Sequence, residues 1–550
     1  VRIDNTHSEY EGKLYASSSN TLTDGSSQGH YTVNNGQYSQ TYADVLVNIN
    51  KRIQDFTIVA NIGASYSGVT SKELGYAGPI RETGIPNLFN VYDLDNAKKR
   101  ATQVGWREAT ESIFASAEVG WKSMLYLTVT GRNDWASQLT HSPQASFFYP
   151  SVGLSAVITE ILKLPDWVDY LKVRGSFSSV GNPYPRFLTY PTYSYDANKQ
   201  DWKSQTNYPI GKLYPERTDS WEVGLDATLF KDFKLSGSFY YANTYNQTFD
   251  PRLPVSSGYD KLYVQTGYVR NYGFEAMLSY GHRWGDFGWD SSFTFSANKN
   301  EIVELVKDYV HPETGKTYNV DKLELKTDEG RGFGKAKFIL KEGGTLGDLY
   351  THADLKRDIN GNVLIDDSGN VTAIDNAGDI KLGSVLPKAN LAWNNSFSYK
   401  GINAGFLLTA RLGGIVYSAT QAYLDLYGVS ETSAAARDAG GVWINGRSRV
   451  NPQSFYEVVA SQSGLPTYYT YSATNLRLQE AHIGYTVPRR WLGNVCDINV
   501  SLVGRNLWMI YCKAPFDPEA VATTNNYYQG IDYFMMPSTR NIGFNIKINF

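Results

Sequence analysis

Residues 358–367, with the sequence DINGNVLIDD, carry oxygen-bearing side chains at spacings that could bind a cation. Four of them fall at the first, third, fifth and ninth positions of a calcium-binding loop: Asp358, Asn360, Asn362 and Asp366. The sixth position is Val363, where that loop needs glycine, and the twelfth is Gly369, where it needs a bidentate acid. Because the sharp turn and the strongest ligand are both lost, we predict an Asx-rich turn without a bound metal, with calcium as the alternative.

Other residues of catalytic type do not form a recognisable catalytic site. The segment HPETGKT, residues 311–317, ends like a phosphate-binding loop, but Val310 stands where that motif needs its first glycine. Neither a nucleophile elbow nor an HExxH zinc motif occurs in the sequence. The seven histidines are scattered and are predicted to be loop or interface residues: His7, His30, His141, His282, His311, His352 and His482. We therefore predict that the protein is not an enzyme and has no cofactor.

Aromatic residues near the C-terminus are the candidates for contact with a ligand. They could stack on the C–H faces of a sugar, or they could pack against a partner protein: Tyr527, Tyr528, Tyr533 and Phe534. In RNDWASQL, residues 132–139, an arginine, a carboxylate and a tryptophan meet at the end of a strand-like stretch. They could form a contact to ligand, but we favour a tryptophan anchor at a membrane interface.

Composition indicates a membrane barrel more than a soluble protein. Aromatic residues make up 14% of the 550 residues, including 41 tyrosines, whereas charged residues make up only 19%. Transmembrane barrels show this balance because alternate residues face lipid and aromatic girdles lie at both interfaces. The net charge of −3 gives no basic footprint for nucleic acid, and no apolar run reaches the roughly 18 residues of a membrane helix. Cys496 and Cys512 could bond only if a turn brought them together.

The last ten residues, NIGFNIKINF, alternate strictly between apolar and polar side chains. The apolar set shares one face of a strand: Ile542, Phe544, Ile546, Ile548 and Phe550. In a soluble sandwich this face would meet a second sheet, and in an outer-membrane barrel it would meet lipid.

Similar alternation predicts strands along the whole chain, and the lengths of the links between them decide between these two folds. The predicted strands are 1–11, 40–50, 56–69, 109–120, 122–132, 149–158, 169–180, 218–230, 234–246, 270–282, 289–304, 388–399, 402–412, 473–487, 497–511 and 541–550. Short links alternate with long ones, as in outer-membrane barrels, and the link 159–168 is predicted to carry a helical turn. The long links are predicted to be extracellular: 12–39, 70–108, 181–217, 305–387, 413–472 and 512–540.

Several stretches together resemble the barrel of SusC/RagA-type TonB-dependent transporters of Bacteroidetes. They occur in the family's order along essentially the whole chain: YPSVGLSAVITE (149–160), YLKVRGSFSSVGN (170–182), PERTDSWEVGLDATLF (215–230), YVRNYGFEAMLSY (268–280), NLRLQEAHIGYTVPRRWL (475–492) and VGRNLWMIYCKAPFDPEA (503–520). The resemblance implies an all-β, transmembrane antiparallel barrel of about 22 strands with a plugged lumen. The chain would supply about sixteen of them as the C-terminal part, 1–550, while the plug and the first strands would lie upstream.

The resemblance also implies a function and partners. We expect TonB-dependent uptake of an oligosaccharide across the outer membrane, with a SusD-like surface lipoprotein as lid and TonB acting through the plug. The transporter and the lipoprotein could form a dimeric SusCD assembly. Oligopeptide is the rival substrate, and a passive porin or a surface adhesin that transports nothing are the rival functions. An aromatic C-terminus resembles the signal that the outer-membrane insertion machinery recognises, so the terminal strand with Phe550 is also expected to act as the assembly signal.

Overall fold

The computed structural model describes residues 1–188, 194–196, 201–203, 207–208, 213–249, 256, 258–259, 261–310, 317–325, 334–493, 495–523 and 529–549. Sixteen strands form one sheet, in which each strand pairs antiparallel with its neighbours in chain order. Their bounds are β1 (Arg2–Leu14), β2 (His30–Ile53), β3 (Phe56–Pro79), β4 (Arg100–Trp121), β5 (Leu125–Ala136), β6 (Ser146–Val157), β7 (Val168–Asn182), β8 (Glu216–Leu229), β9 (Phe233–Phe249), β10 (Val264–Trp284), β11 (Phe287–Glu304), β12 (Ala389–Tyr399), β13 (Ile402–Leu412), β14 (Asn475–Val487), β15 (Asp497–Cys512) and β16 (Asn541–Asn549). The predicted all-β architecture is confirmed.

Each of the sixteen predicted strands overlaps one strand of the sheet, but β2, β3 and β4 are much longer than predicted. They contain 24, 24 and 22 residues, whereas a membrane crossing needs only about 9–11. Residues 30–39 and 70–79, predicted as loop, pair with each other in continuous register. The prediction was wrong there because these residues are polar on both faces, while their backbones continue the hydrogen-bonded ladder.

The predicted alternation of short and long links is confirmed. At one end of the sheet the links are 54–55, 122–124, 158–167, 230–232, 285–286, 400–401 and 488–496. The link 158–167 contains the predicted helical turn, α1 (Ile158–Ile161). Gly401 makes one of the tight turns with a φ of 91°, and an added Cβ would lie 2.9 Å from the carbonyl oxygen of Thr486, so this turn needs glycine.

The sheet has one apolar face and one polar face. In β15, Val500 and Leu502 are exposed on the apolar face, and they pair with Ile546 and Phe544 of β16. The predicted apolar residues of the last strand lie together on this face, with 49% to 79% of each exposed: Ile542, Phe544, Ile546 and Ile548. Phe550 lies outside the described residues. β1 and β16 are the two edges of the sheet.

The long links contain further short elements. The strands are Ser194–Asp196, Asp201–Lys203, Asn207–Tyr208, Lys261–Leu262, Val306–Val310, Thr317–Val320, Lys322–Glu324, Ala336–Lys341, Asp348–Thr351, Asp354–Leu355, Ala373–Ile374, Ile380–Ser384, Ile415–Ser418, Val442–Ile444, Ser448–Val450, Thr470–Ser472 and Ile531–Asp532. The helices are α2 (Ala419–Leu426), α3 (Glu431–Asp438) and α4 (Pro452–Val459), with 3-10 turns at Val91–Asp93, Ser137–Leu139 and Ser461–Ser463. A further 3-10 turn, Arg489–Leu492, lies in the short link 488–496. In the part of the chain that the structure describes, no helix is both long and apolar enough to cross a membrane.

Three long links fold together into what we call the loop unit, the described residues of 305–388, 413–474 and 513–540. Residues from all three links share one hydrophobic core and are at most 1% exposed: Phe338, Leu349, Tyr417, Val459 and Ile531. The hydroxyl of Ser418, the N-cap of α2, donates to the carboxylate of Asp532 at 2.5 Å and so ties two links together. The loop unit is therefore a packed structure and not a set of separate loops.

Candidate functional site

On the polar face of the sheet, an ion-paired arginine lies in the middle of a strand. Arg174 of β7 lies 2.8 Å from Asp226 and 3.1 Å from Glu222 of β8, and Ser236 donates a hydrogen bond to Asp226 at 2.7 Å. Strand periodicity requires this geometry, because 222 and 226 share one parity and face the same side. Arg174 lines a cavity of about 740 Å³ that also reaches Glu275 of β10.

The segment RNDWASQL is divided by strand periodicity between the two faces. On the polar face, Arg132 donates to Asp134 at 2.7 Å and to the hydroxyl of Ser112 at 2.6 Å. The phenol of Tyr149 donates to the other carboxylate oxygen of Asp134. Trp135 lies on the apolar face and is 43% exposed. Its position agrees with the predicted anchor, whereas Arg132 and Asp134 line the interior.

A second cavity, of about 750 Å³, lies where β4, β7 and β8 meet the long links, and we call it the mouth pocket. Its lining includes Glu108, Gln138, Asn182, Tyr184, Arg186 and Glu216. The guanidinium of Arg186 donates to the carboxylate of Glu108 at 3.1 Å and stacks on the ring of Trp106, 3.5 Å from its centroid. The pocket therefore offers amides and carboxylates, and Arg186, the cation among its described lining residues, is already paired.

A buried ion pair fastens the link 513–540 to the sheet. Arg477 of β14 holds Asp517 through two hydrogen bonds of 2.8 and 3.2 Å, and it lies 3.1 Å from Glu519. The side chains of Arg477 and Asp517 are only 6% and 9% exposed. Burial alone would raise the pKa of Asp517, but hydrogen bonds from Arg477 and from the amide of Glu519 hold it below its ordinary value.

Buried polar groups also organise the helices of the loop unit. Asp425 of α2 is 5% exposed and accepts hydrogen bonds from the hydroxyl of Ser430 and, at 3.0 Å, from the phenol of Tyr469. Burial, followed by the nearby carboxylate of Asp425, raises the pKa of Tyr469 well above its ordinary value. Burial likewise raises the pKa of Tyr471 to about 12. Both phenols therefore stay protonated at physiological pH, and that of Tyr469 donates to Asp425.

The segment predicted as an Asx-rich turn, with calcium binding as the alternative, forms two Asx turns. The carboxylate of Asp358 accepts from the amides of Asn360 at 2.8 Å and Asn362 at 2.9 Å, and from the side chain of Asn362 at 3.1 Å. Asp366 makes a similar turn, accepting from the amides of Ser368 and Asn370. These hydrogen bonds, that of the Asn362 side chain foremost, lower the pKa of Asp358. Among the described residues, no three His, Cys, Asp or Glu side chains are grouped so that they could hold a metal.

Of the predicted aromatic contacts, the structure places two in the loop unit. Phe534 is 58% exposed, with its ring 5.3 Å from that of Tyr423 in α2. Tyr533 packs against the core of the loop unit. Tyr527 and Tyr528, like most of the segment 311–317, lie outside the described residues.

Sequence reasoning missed the mouth pocket and the buried ion pair. Glu108, Arg186 and Glu216 come from three separate parts of the chain, and no local motif marks any of them. Arg477 and Asp517 are 40 residues apart. One usable signal was a charged side chain, Arg477, inside an otherwise alternating strand, because buried charges in strands require partners.

Comparison with known proteins identifies the family to which the chain belongs. Residues 2–507 match the family described as TonB dependent receptor-like, beta-barrel. TonB-dependent receptor P3 of Formosa agariphila is 24% identical over an alignment of 524 residues that covers 88% of this chain and 50% of that protein. TonB-dependent receptor SusC of Bacteroides thetaiotaomicron is 24% identical over an alignment of 433 residues that covers 72% of this chain and 40% of that protein. The chain thus spans about half the length of these relatives or less.

A structure of the RagAB peptide importer in its closed-closed state has the same fold. It superposes with a TM-score of 0.75 at 17% identity, covering 100% of this chain and 59% of that one. In an outer-membrane barrel the apolar face meets lipid, the polar face lines the lumen and the long links are extracellular. The family match across 2–507, together with the alternating faces and links, shows that this chain belongs to the TonB-dependent receptor-like β-barrel family of the outer membrane, a family of receptors and transporters and not of enzymes.

Proposed function

We propose that the protein takes up an oligosaccharide across the outer membrane by TonB-dependent transport. The observation that carries this proposal is the family match over residues 2–507. The outer membrane has no ATP, so uptake against a gradient requires energy from the inner membrane, which TonB transmits. The lumen-facing cavity beside Arg174 and the mouth pocket would lie along the path of the substrate.

The chemistry of these two cavities favours a neutral, hydroxylated substrate. Carboxylates, amides and hydroxyls line both of them. Arg174 is ion-paired with Glu222 and Asp226, and Arg186 is ion-paired with Glu108, while Arg411, which also lines the first cavity, donates to the carbonyl of Val385 and shares the cavity with Glu275 and Glu519. Such walls offer donors and acceptors to sugar hydroxyls without an excess of positive charge. The exposed ring of Phe534 adds a face on which a sugar could stack.

Two partners belong to the proposal. TonB would act on a plug domain encoded upstream of these residues, which is consistent with the chain spanning half of TonB-dependent receptor P3. A SusD-like lipoprotein would close over the loop unit as a lid, and two such pairs could associate. The packed core of the loop unit supports this role, because a rigid surface lowers the entropy lost when a partner binds.

The decisive experiment is uptake by a deletion strain. We expect a strain lacking the receptor to lose growth on its cognate oligosaccharide and to regain it with the full-length gene. A gene lacking the TonB-contacting segment should not restore growth. Growth restored by that variant, or constitutive ion conductance of the purified protein, would favour a passive porin. If the deletion strain lost growth on oligopeptides alone, the substrate would be a peptide.

We further propose that the turns at Asp358 and Asp366 work without a metal. Both carboxylates already accept backbone amides, and Gly369 offers no side-chain ligand. Adding calcium or a chelator to the purified receptor should leave its unfolding temperature unchanged. A calcium-dependent rise that Asp358→Ala abolishes would contradict this.

A further inference from the structure

Basic side chains lie directly above the apolar band on the lipid-facing side of β10 and β11. Large apolar side chains alternate on this face of β11: Phe287, Trp289, Phe293 and Phe295. About eleven residues, from 287 to 297, span roughly 25 Å at a tilt of about 45°, which is the height of the apolar band of a barrel. The same face continues to Lys299, which pairs with Tyr272, and to Glu301, which pairs with Arg270. Lys299 and Arg270 are therefore at the level of the outer-leaflet headgroups.

Arg270 is held in place by aromatic rings and by one hydrogen bond to a described residue. Its guanidinium carbon lies 5.6 Å from the ring centroid of Tyr241 and 5.8 Å from that of Tyr268. One nitrogen donates to the phenol of Tyr268 at 3.2 Å. The Nε–H is buried and has no hydrogen-bond partner among the described residues. Glu301 is 4.0 Å from Nη1, beyond hydrogen-bonding distance, so Nη1 and Nη2 are the nitrogens that remain for a ligand.

The charge around Arg270 is positive. Lys299 is exposed, and its ammonium group lies 5.5 Å from the ring centroid of Tyr272. Glu301 pairs with Arg270 across β10 and β11 and follows Lys299 by two residues on β11, so these three side chains carry a net charge of about +1 at neutral pH. On β8, two strands from β10, Arg217 lies 2.9 Å from Asp219 and the two charges cancel.

We propose that Arg270 and Lys299 bind the phosphate groups of a glycolipid in the outer leaflet. A planar guanidinium matches two phosphate oxygens with parallel hydrogen bonds, and an ammonium group adds a point charge beside it. Basic residues at the surface of a membrane attract anionic headgroups. Tyr241, Tyr268 and Tyr272 lie at the interfacial level that tyrosine favours, and they keep both cations close to the acyl-chain boundary. The site fixes the height of the barrel in the leaflet.

The test compares phosphorylated lipid A with the same lipid A after enzymatic dephosphorylation. Native mass spectrometry of the purified full-length receptor in detergent measures the affinity for each lipid. We expect wild-type protein to prefer the phosphorylated lipid, and the double variant Arg270→Gln/Lys299→Gln to bind it about 30-fold more weakly. Lys51→Gln is the matched control, because Lys51 is an exposed cation of β2 near the opposite, short-turn end, and it should bind like wild type.

Three results would overturn the proposal. The first is equal affinity of the wild-type protein for the two lipids, and the second is an unchanged preference of the double variant for the phosphorylated lipid. The third is displacement of the lipid by inorganic phosphate at equal concentration, which would indicate a site for free phosphate. The comparison of the two lipids needs no variant and so does not depend on how the substitutions fold. Heat-modifiable migration in SDS gels checks that each variant has a folded barrel.

Discussion

At the scale of single residues, the turns at Asp358 and Asp366 show why one spacing can indicate two kinds of site. A calcium loop and an Asx turn both place a carboxylate two residues before the next polar group. Here backbone amides donate to one oxygen of each carboxylate, and each turn is followed by a buried valine, Val363 at 7% and Val371 at 3% exposed. The acids therefore shape the chain around apolar contacts.

This geometry predicts that acid loosens the turn at Asp358. Hydrogen bonds hold the pKa of Asp358 below its ordinary value of 3.8, so its contribution to stability is present above that pH and is lost as the pH falls through the lowered pKa. Hydrogen exchange at the amide of Asn362, corrected for its intrinsic rate, should show protection that disappears in strong acid. In Asp358→Asn this pH dependence should be absent, and its persistence would show that another group controls the turn.

The buried pair Arg477–Asp517 predicts a large difference between two arginines of neighbouring strands. Arg477→Met leaves Asp517 buried without a partner and should lower the free energy of unfolding by about 3–5 kcal/mol. Arg505→Met is the matched control, because Arg505 is 68% exposed in its ion pair with Glu480. This substitution should lower the free energy of unfolding by about 1 kcal/mol or less. Urea unfolding followed by tryptophan fluorescence measures both, and equal losses would contradict the role assigned to burial.

At the scale of elements, all sixteen strands were predictable because lipid on one side and water on the other impose a period of two on each strand. The alternation in WEVGLDATLF is an example, since Trp221 and Val223 are 60% and 64% exposed on the apolar face. The upper parts of β2 and β3 were not predictable. Beyond the membrane neither face of these strands meets lipid, so the alternation of apolar and polar side chains is lost while the backbone pairing continues from Ser39 to His30.

The last strand offers a direct test of its two faces. Phe544→Lys places a charge on the lipid-facing side and should destabilise the barrel by about 2–4 kcal/mol, depending on its depth in the bilayer. Asn545→Lys changes the neighbouring residue on the other face and should have little effect. Immunoblots of heat-modifiable protein in outer-membrane fractions compare the two. Equal levels of assembled protein would show that Phe544 does not face lipid.

At the scale of the whole molecule, the loop unit is the part that the sequence did not reveal. Its core joins Phe338, Tyr417 and Ile531, which are far apart in the chain and fall in links without regular periodicity. Helices α2, α3 and α4 have eight residues each, too few for a periodic pattern to stand out. The lengths of the links indicated a function, but their joint packing depends on contacts that no local pattern encodes.

The core of the loop unit should unfold separately from the barrel when it is weakened. Leu340 is fully buried, so Leu340→Ala should lose about 2–5 kcal/mol of local stability. We expect protease on intact cells to cleave the variant within 305–388 while the barrel retains heat-modifiable migration. Leu502→Ala, on the lipid face, serves as control and should leave the loops resistant. Resistance of both variants would show that the core is not what holds the links together.

The hydrogen bonds that join separate links have a consequence for how such receptors diversify. Asn445 exchanges two hydrogen bonds with the backbone of Val363, at 2.9 and 3.0 Å, and Ser418 reaches Asp532 across 114 residues of sequence. If recombination replaced one of these links alone, the new link would lack the residues that form hydrogen bonds with the two links that remain. New specificities therefore have to arise either by point substitutions at exposed positions such as Phe534 or by exchange of the three links as a single heritable block.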